Sequence, residues 1–165
     1  AAVNVFFQPF LKKNQTMDHL AVVEDSITEG ILGINYVEML QNKFQKIQFY
    51  NMGLGGDTLQ GISDRLLKEI SINRYDIIII EAGHNDIILP KMKEINLLYK
   101  LAYKKLLKRG SIPTIIPDEF EKKYIQLITK IKTLCKSELI ITTLSCLSED
   151  LNSDTNQKRE HLNQM

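Results

Sequence analysis

The chain has 165 residues, 44% apolar, 25% charged and 7% aromatic, which suits one folded globular domain and excludes wholesale disorder. Lys and Arg number 21 against 20 Asp and Glu, a net charge of +1 without the basic excess of a polyanion binder, so nucleic acid is not an expected partner. Cys135 and Cys146 are too few for a disulfide framework or a four-sulfur metal site, no cofactor or metal is expected, and no apolar run reaches the ~18–20 residues of a bilayer span.

Residues 1–16 read as an N-terminal extension. Val3, Val5, Phe6, Phe7, Phe10 and Leu11 precede Lys12 and Lys13, the reverse of the charge-first order of a secretory signal. The compartment stays open. Leu20-Ala21-Val22-Val23 reads as a buried strand ending at Glu24-Asp25-Ser26. Val37, Leu40 and Phe44 recur at helical spacing. Lys46 to Met52 reads as a second strand, ending at Gly53-Leu54-Gly55-Gly56-Asp57-Thr58. Leu59, Ile62, Leu66 and Ile70 then share one helical face, with Asp57 as the expected N-cap.

Tyr75 to Ala82 contains four successive isoleucines, the pattern of a strand covered on both faces, and ends at Gly83-His84-Asn85-Asp86. A helix from about Pro117 to Cys135 turns Phe120, Tyr124, Leu127, Ile128, Ile131 and Leu134 to one side, with Asp118 and Glu119 in its first turn. Leu139 to Thr143 is a fourth strand candidate. Strands alternating with helices predict an α/β three-layer sandwich with a mostly parallel sheet. Ligands bind at the carboxyl ends of such strands, so the three polar clusters are expected to converge on one crevice.

Each cluster has two readings. Ser26 is a helix N-cap or turn serine, or a hydroxyl exposed on a tight strand-to-helix turn. Gly53, Gly55 and Gly56 make a tight connection, or aim backbone N–H groups at an anion or developing oxyanion; they match neither a dinucleotide fingerprint nor a P-loop. Asn85 closes a turn or offers its amide to an oxyanion, with Asp86 bracing the loop.

Together the three clusters resemble the SGNH hydrolases, also called GDSL-type lipases and esterases. Asp25-Ser26-Ile27-Thr28-Glu29-Gly30 is similar to the family's block G-D-S-x-T-x-G, residues 51–58 (NMGLGGDT) to its second block, and Gly83-His84-Asn85-Asp86 to its G-x-N-D block. The resemblance runs from about Met17 to the fourth strand, within an SGNH hydrolase-like domain expected over residues 17–165. It implies a flavodoxin-like fold and hydrolysis of a lipid or small acyl or acetyl ester through an acyl-serine intermediate. It makes Ser26 the nucleophile, and the N–H groups of Ser26 and Gly56 with the Asn85 amide the oxyanion hole.

Two departures stand out. Glu24 occupies the position where the family usually has Gly. The family's last block, D-x-x-H, which supplies the base, is absent: His19 opens the first strand, His161 has Lys158 three residues before it, and His84 adjoins Asn85. The domain is therefore expected to lack a C-terminal helix and strand and to show at most residual esterase activity. Its fourth strand, Leu139, Ile140 and Ile141, would then be an open edge prone to self-association. The alternative is a non-catalytic ligand-binding domain on the same fold. A phosphate- or nucleotide-binding flavodoxin-like domain is a third, weaker reading.

Residues 90–116 read as a helical insertion. Lys91 to Arg109 carries seven basic residues and one acid, Glu94, with Ile95, Leu98, Tyr99, Ala102 and Leu106 on one face. Such a helix is a solvated surface helix, a wall of the crevice, or a peripheral contact with an anionic membrane.

Overall fold

The computed structural model describes residues 19–30, 35–144, 150 and 152–165, apart from the side chains of Ser26, Ile27 and Lys93. The N-terminal extension and Cys146 lie outside the described residues. Four strands, β1 (His19–Val23), β2 (Gln48–Asn51), β3 (Ile77–Ile80) and β4 (Glu138–Ile141), form one sheet in the order β2-β1-β3-β4. Every pairing is parallel. The chain leaves β1 for β2 on one side and crosses back to β3 on the other, so the carboxyl ends of β1 and β3 flank the topological switch point.

The helices are α1 (Ser26–Glu29), α2 (Tyr36–Lys43), α3 (Leu59–Ile70), α4 (His84–Ile95), α5 (Leu97–Arg109), α6 (Pro117–Leu134) and α7 (Asp154–Gln164). Strand side chains alternate between two cores. Ala21, Val23, Ile78 and Ile80 pack under α3 and α6 with Leu59, Ile62, Leu66, Phe120, Leu127 and Ile131. Leu20, Val22, Ile77 and Ile79 pack on the opposite face with Val37 and Leu40 of α2 and with Phe49. All four isoleucines of β3 are buried, as their continuous run requires between two helical layers.

Several expected details shift. The N-cap of α3 is Thr58, whose side chain accepts from Gly61 N–H; Asp57 is drawn away by Arg65, whose Nε and Nη2 each lie 2.6 Å from its Oδ2. β2 is shorter than expected because it is an edge strand with only Phe49 buried. β4 starts one residue early, at Glu138, and Ile141 is 47% exposed at its end. Leu134, expected on the covered face of α6, is exposed at that helix's last turn.

Residues 90–116, expected as a helical insertion, hold the end of one helix and the whole of a second. α4 runs through Pro90 to Ile95, and Asn96 starts α5 by accepting the Tyr99 N–H at 3.1 Å. Lys91 thus belongs to α4. Leu98 and Ala102 are exposed on α5 although the pattern put them inward, while Tyr103, Leu106 and Leu107 are half-buried. Among the described residues no helix is long and apolar enough to cross a membrane.

Candidate active site

Three strand ends meet at the switch point. Ser26 is the first residue of α1, separated from the end of β1 by Glu24 and Asp25. Gly56 lies in the loop after β2, and Asn85 is the second residue of α4 after β3. The Asn85 side chain joins all three segments: Nδ2 donates to the Asp57 carbonyl at 2.9 Å and to Asp25 Oδ2 at 3.2 Å. Asp57 follows Gly56 and Asp25 precedes Ser26, so residues far apart in sequence lie within a few bonds of one amide. That amide is 8% exposed, and both of its N–H groups are engaged by protein acceptors.

The glycine loop is tied to α1 along its length. Gly55 N–H donates to Glu29 Oε2 at 2.5 Å, Leu54 N–H to the Glu24 carbonyl at 3.2 Å, and Asn51 Nδ2 to the Thr28 carbonyl at 2.5 Å. A Cβ on Gly53 would stand 2.2 Å from the Glu29 backbone nitrogen, so only glycine lets the two segments approach this closely. Gly56 has φ +77°, and a Cβ there would stand 2.6 Å from Leu106 Cδ2 of α5. The Arg109 guanidinium donates to the Gly55 carbonyl, so α5 lies against the same loop.

Asp86 is a brace. Its Oδ2 accepts Leu59 N–H at 2.9 Å and its Oδ1 accepts Thr114 N–H at 2.7 Å, joining the start of α3 to the segment after α5. It is 2% exposed, and burial pushes its carboxyl up to about 6.

Glu24 turns toward α1 and α2. Thr28 Oγ1 donates to its Oε2, and the Tyr36 hydroxyl donates to its Oε1 at 2.7 Å. Burial raises its pKa, an effect these donors oppose. The charge that would oppose an oxyanion is thus bonded into the helical layer. His84 is 3% exposed; its Nδ1 stands 3.2 Å from Glu81 Oε1 and 3.6 Å from Asp25 Oδ2. Burial pushes the Glu81 carboxyl up to about 7, with Glu24 adding to the rise and His84 opposing it. His19 is exposed at the amino end of β1, with Nδ1 2.9 Å from the Tyr50 hydroxyl. His161 is exposed on α7, beside a cavity of about 380 Å³ that Lys91, Ile115 and Leu162 also line.

Sequence reasoning missed Thr28, Tyr36, Glu81 and Arg109. The spacing Glu81-x-x-His84 could have flagged one of them; the other contacts cross between elements and leave no local signal. Among the described residues no group of three or more His, Cys, Asp or Glu side chains could hold a metal ion.

Solved structures share this architecture. An acetyl xylan esterase, AlAXEase, superposes with a TM-score of 0.67 at 16% identity, over 88% of this chain and 68% of the other. AlinE4, an SGNH-hydrolase family esterase, gives 0.60 at 15%, over 90% and 69%.

The fold is that of the SGNH hydrolases.

TesA aligns at 0.59 and 18%, over 87% of this chain and 67% of its own. No protein-family model matches the chain, and no curated protein matches it in sequence. On this SGNH-like fold, the turn that begins at Ser26, the Gly56 loop and the Asn85 helix start occupy the ends of β1, β2 and β3 in that order.

Proposed function

We propose that the chain is a serine ester hydrolase domain. Ser26 attacks the ester carbonyl as its proton passes through solvent water to the departing alkoxide, the alcohol leaves, and water hydrolyses the acyl-serine to release the acid. The backbone N–H groups of Ser26 and Gly56 and the Asn85 amide receive the oxyanion. The observation that carries this reading is the Asn85 amide, held between Asp25 and the Asp57 carbonyl at the β1/β3 switch point. To serve the oxyanion it exchanges one of these acceptors for the substrate oxygen. Its 3.2 Å bond to Asp25 is the longer and the weaker of the two.

Proton removal from Ser26 calls for a base. His84 adjoins Asp25, but a base must also hand its proton to the leaving group, and a ring 3% exposed is poorly placed for that. We assign His84 to bracing Asp25 and Glu81, and expect turnover by this chain to be weak. The second reading, a non-catalytic domain that binds esters without cleaving them, is favoured by the burial of His84, which leaves Ser26 without an accessible histidine base among the described residues.

Hydrolysis of p-nitrophenyl acetate by the chain, beside Ser26→Ala and His84→Gln, separates these readings. Slow turnover that Ser26→Ala removes and His84→Gln retains supports the proposal. Turnover unchanged in Ser26→Ala overturns it. Rapid turnover abolished in both variants makes His84 the base and overturns its bracing role.

A further inference from the structure

Among the helices, α5 is anomalous. It has 13 residues and none is buried. A surface helix on a soluble domain turns its leucines to the core. Here Leu97, Leu98 and Leu101 are 70%, 76% and 54% exposed. At 100° per residue, Leu97, Leu101, Lys104 and Lys108 form one row along the outer face, with Leu98 and Lys105 beside it. The helix carries Lys100, Lys104, Lys105, Lys108 and Arg109 and no acid, so its charge of +5 stands out in a chain whose net charge is +1. Its inner side meets the glycine loop through Leu106 at Gly56 and Arg109 at the Gly55 carbonyl.

We propose that α5 docks the protein on an anionic lipid surface and thereby holds the Gly56 loop, on the inner side of the helix, about one helix diameter from lipid-borne esters. The leucines at the amino-terminal half enter the acyl boundary, and the lysines of the other half extend their stems toward lipid phosphates. Charge and composition choose a membrane over a protein partner. Lysine is depleted from protein–protein interfaces, yet here Lys104 and Lys108 continue the row that the exposed Leu97 and Leu101 begin. A nucleic acid would use the lysines and leave the leucines without a role. The docking half of this inference stands by itself; the substrate half rests on the ester-hydrolase reading.

The test is co-sedimentation of the chain with phosphatidylcholine vesicles, with and without phosphatidylserine as one lipid in three. Binding is expected to the anionic vesicles only, and to fall about tenfold or more when salt is raised from low to molar concentration. Lys104→Glu/Lys108→Glu should abolish it. Leu98→Ser/Leu101→Ser, which leaves the charge unchanged, should weaken it at least severalfold. These side chains are exposed, so thermal melts of both variants should match the parent and exclude unfolding as the cause. Equal binding to neutral vesicles, or binding indifferent to both variants, overturns the proposal. So does a lack of vesicle binding joined to a concentration-dependent dimer that Leu98→Ser/Leu101→Ser dissolves, which would make α5 a self-association face. Vesicle binding with no cleavage of either a vesicle-borne or a soluble ester would keep the docking role and remove the hydrolase reading.

Discussion

The crevice at the ends of β1 and β3 and the helix α5 lie against each other, yet they are held in opposite ways. In the crevice, polar groups are buried and each is engaged more than once. Asp86 spans two backbone N–H groups, Asn85 spans two acceptors, Glu24 takes two hydroxyls and Asp57 takes Arg65. Low local dielectric makes such bonds strong when satisfied and costly when broken. α5 shows the reverse, with apolar groups exposed and few contacts inward. Hydrogen bonds between buried side chains and backbone hold this cluster together. The neighbouring helix instead leaves Leu97, Leu98 and Leu101 exposed.

The sharpest way to break that contrast is Asp86→Ala. It orphans the N–H groups of Leu59 and Thr114, and buried orphans cost about 1–3 kcal/mol each, so a loss of about 3 kcal/mol is expected in urea unfolding. A loss below about 1 kcal/mol would mean that solvent reaches these groups and the crevice is less rigid than drawn.

The pH dependence probes Asp86 together with the half-buried Glu81. Glu81 rises from 4.5 to about 7 and Asp86 from 3.8 to about 6, both through burial. A folded-state pKa above the unfolded value means the native state holds the proton longer, so stability falls as pH rises between the two. Stability should therefore decline from about pH 4.5 to pH 7. Glu81→Gln should flatten that decline by on the order of 2 kcal/mol. Unfolding midpoints at pH 4.5, 6 and 7.5 read it directly; a parent whose stability rises across that window would contradict the burial of both groups.

Gly56→Ala tests the seam between the two regions. The residue combines φ +77° with the close Leu106 side chain. A left-handed L-residue costs about 1–2 kcal/mol, and the clash adds to it. Adding Leu106→Ala should relieve the clash and leave the backbone cost, so the double variant should be more stable than the sum of the single losses. Strict additivity would show that α5 does not press on the loop.

The smallest effect belongs to α5 itself. Leu98→Ser, at a side chain 76% exposed, should change stability by no more than about 0.5 kcal/mol. A loss of about 2 kcal/mol would show that the outer face is packed in solution, by a second copy or another part of the chain.

The sequence by itself determined whatever depends on local pattern. Four adjacent isoleucines specify a strand covered on both faces, the Leu59-Ile62-Leu66-Ile70 spacing specifies α3, and the strand–helix alternation specifies a parallel sheet whose polar ends converge. The three short blocks around Ser26, Gly56 and Asn85 were legible because each directly follows a stretch with strand character. Helical and strand periods say which side of an element is apolar, but not what lies opposite. Only the tertiary structure decided that Arg65 takes Asp57 and leaves the α3 cap to Thr58. It alone turned Glu24 toward Tyr36, a residue 12 positions away with no motif to mark it. The break at Asn96 rotated α5 so that Tyr103 and Leu107 join Leu106 on the inner side and Leu98 faces out, against the pattern of the continuous segment. Each of these outcomes depends on contacts between residues distant in the chain, and such contacts exist only once the sheet has brought its strand ends together.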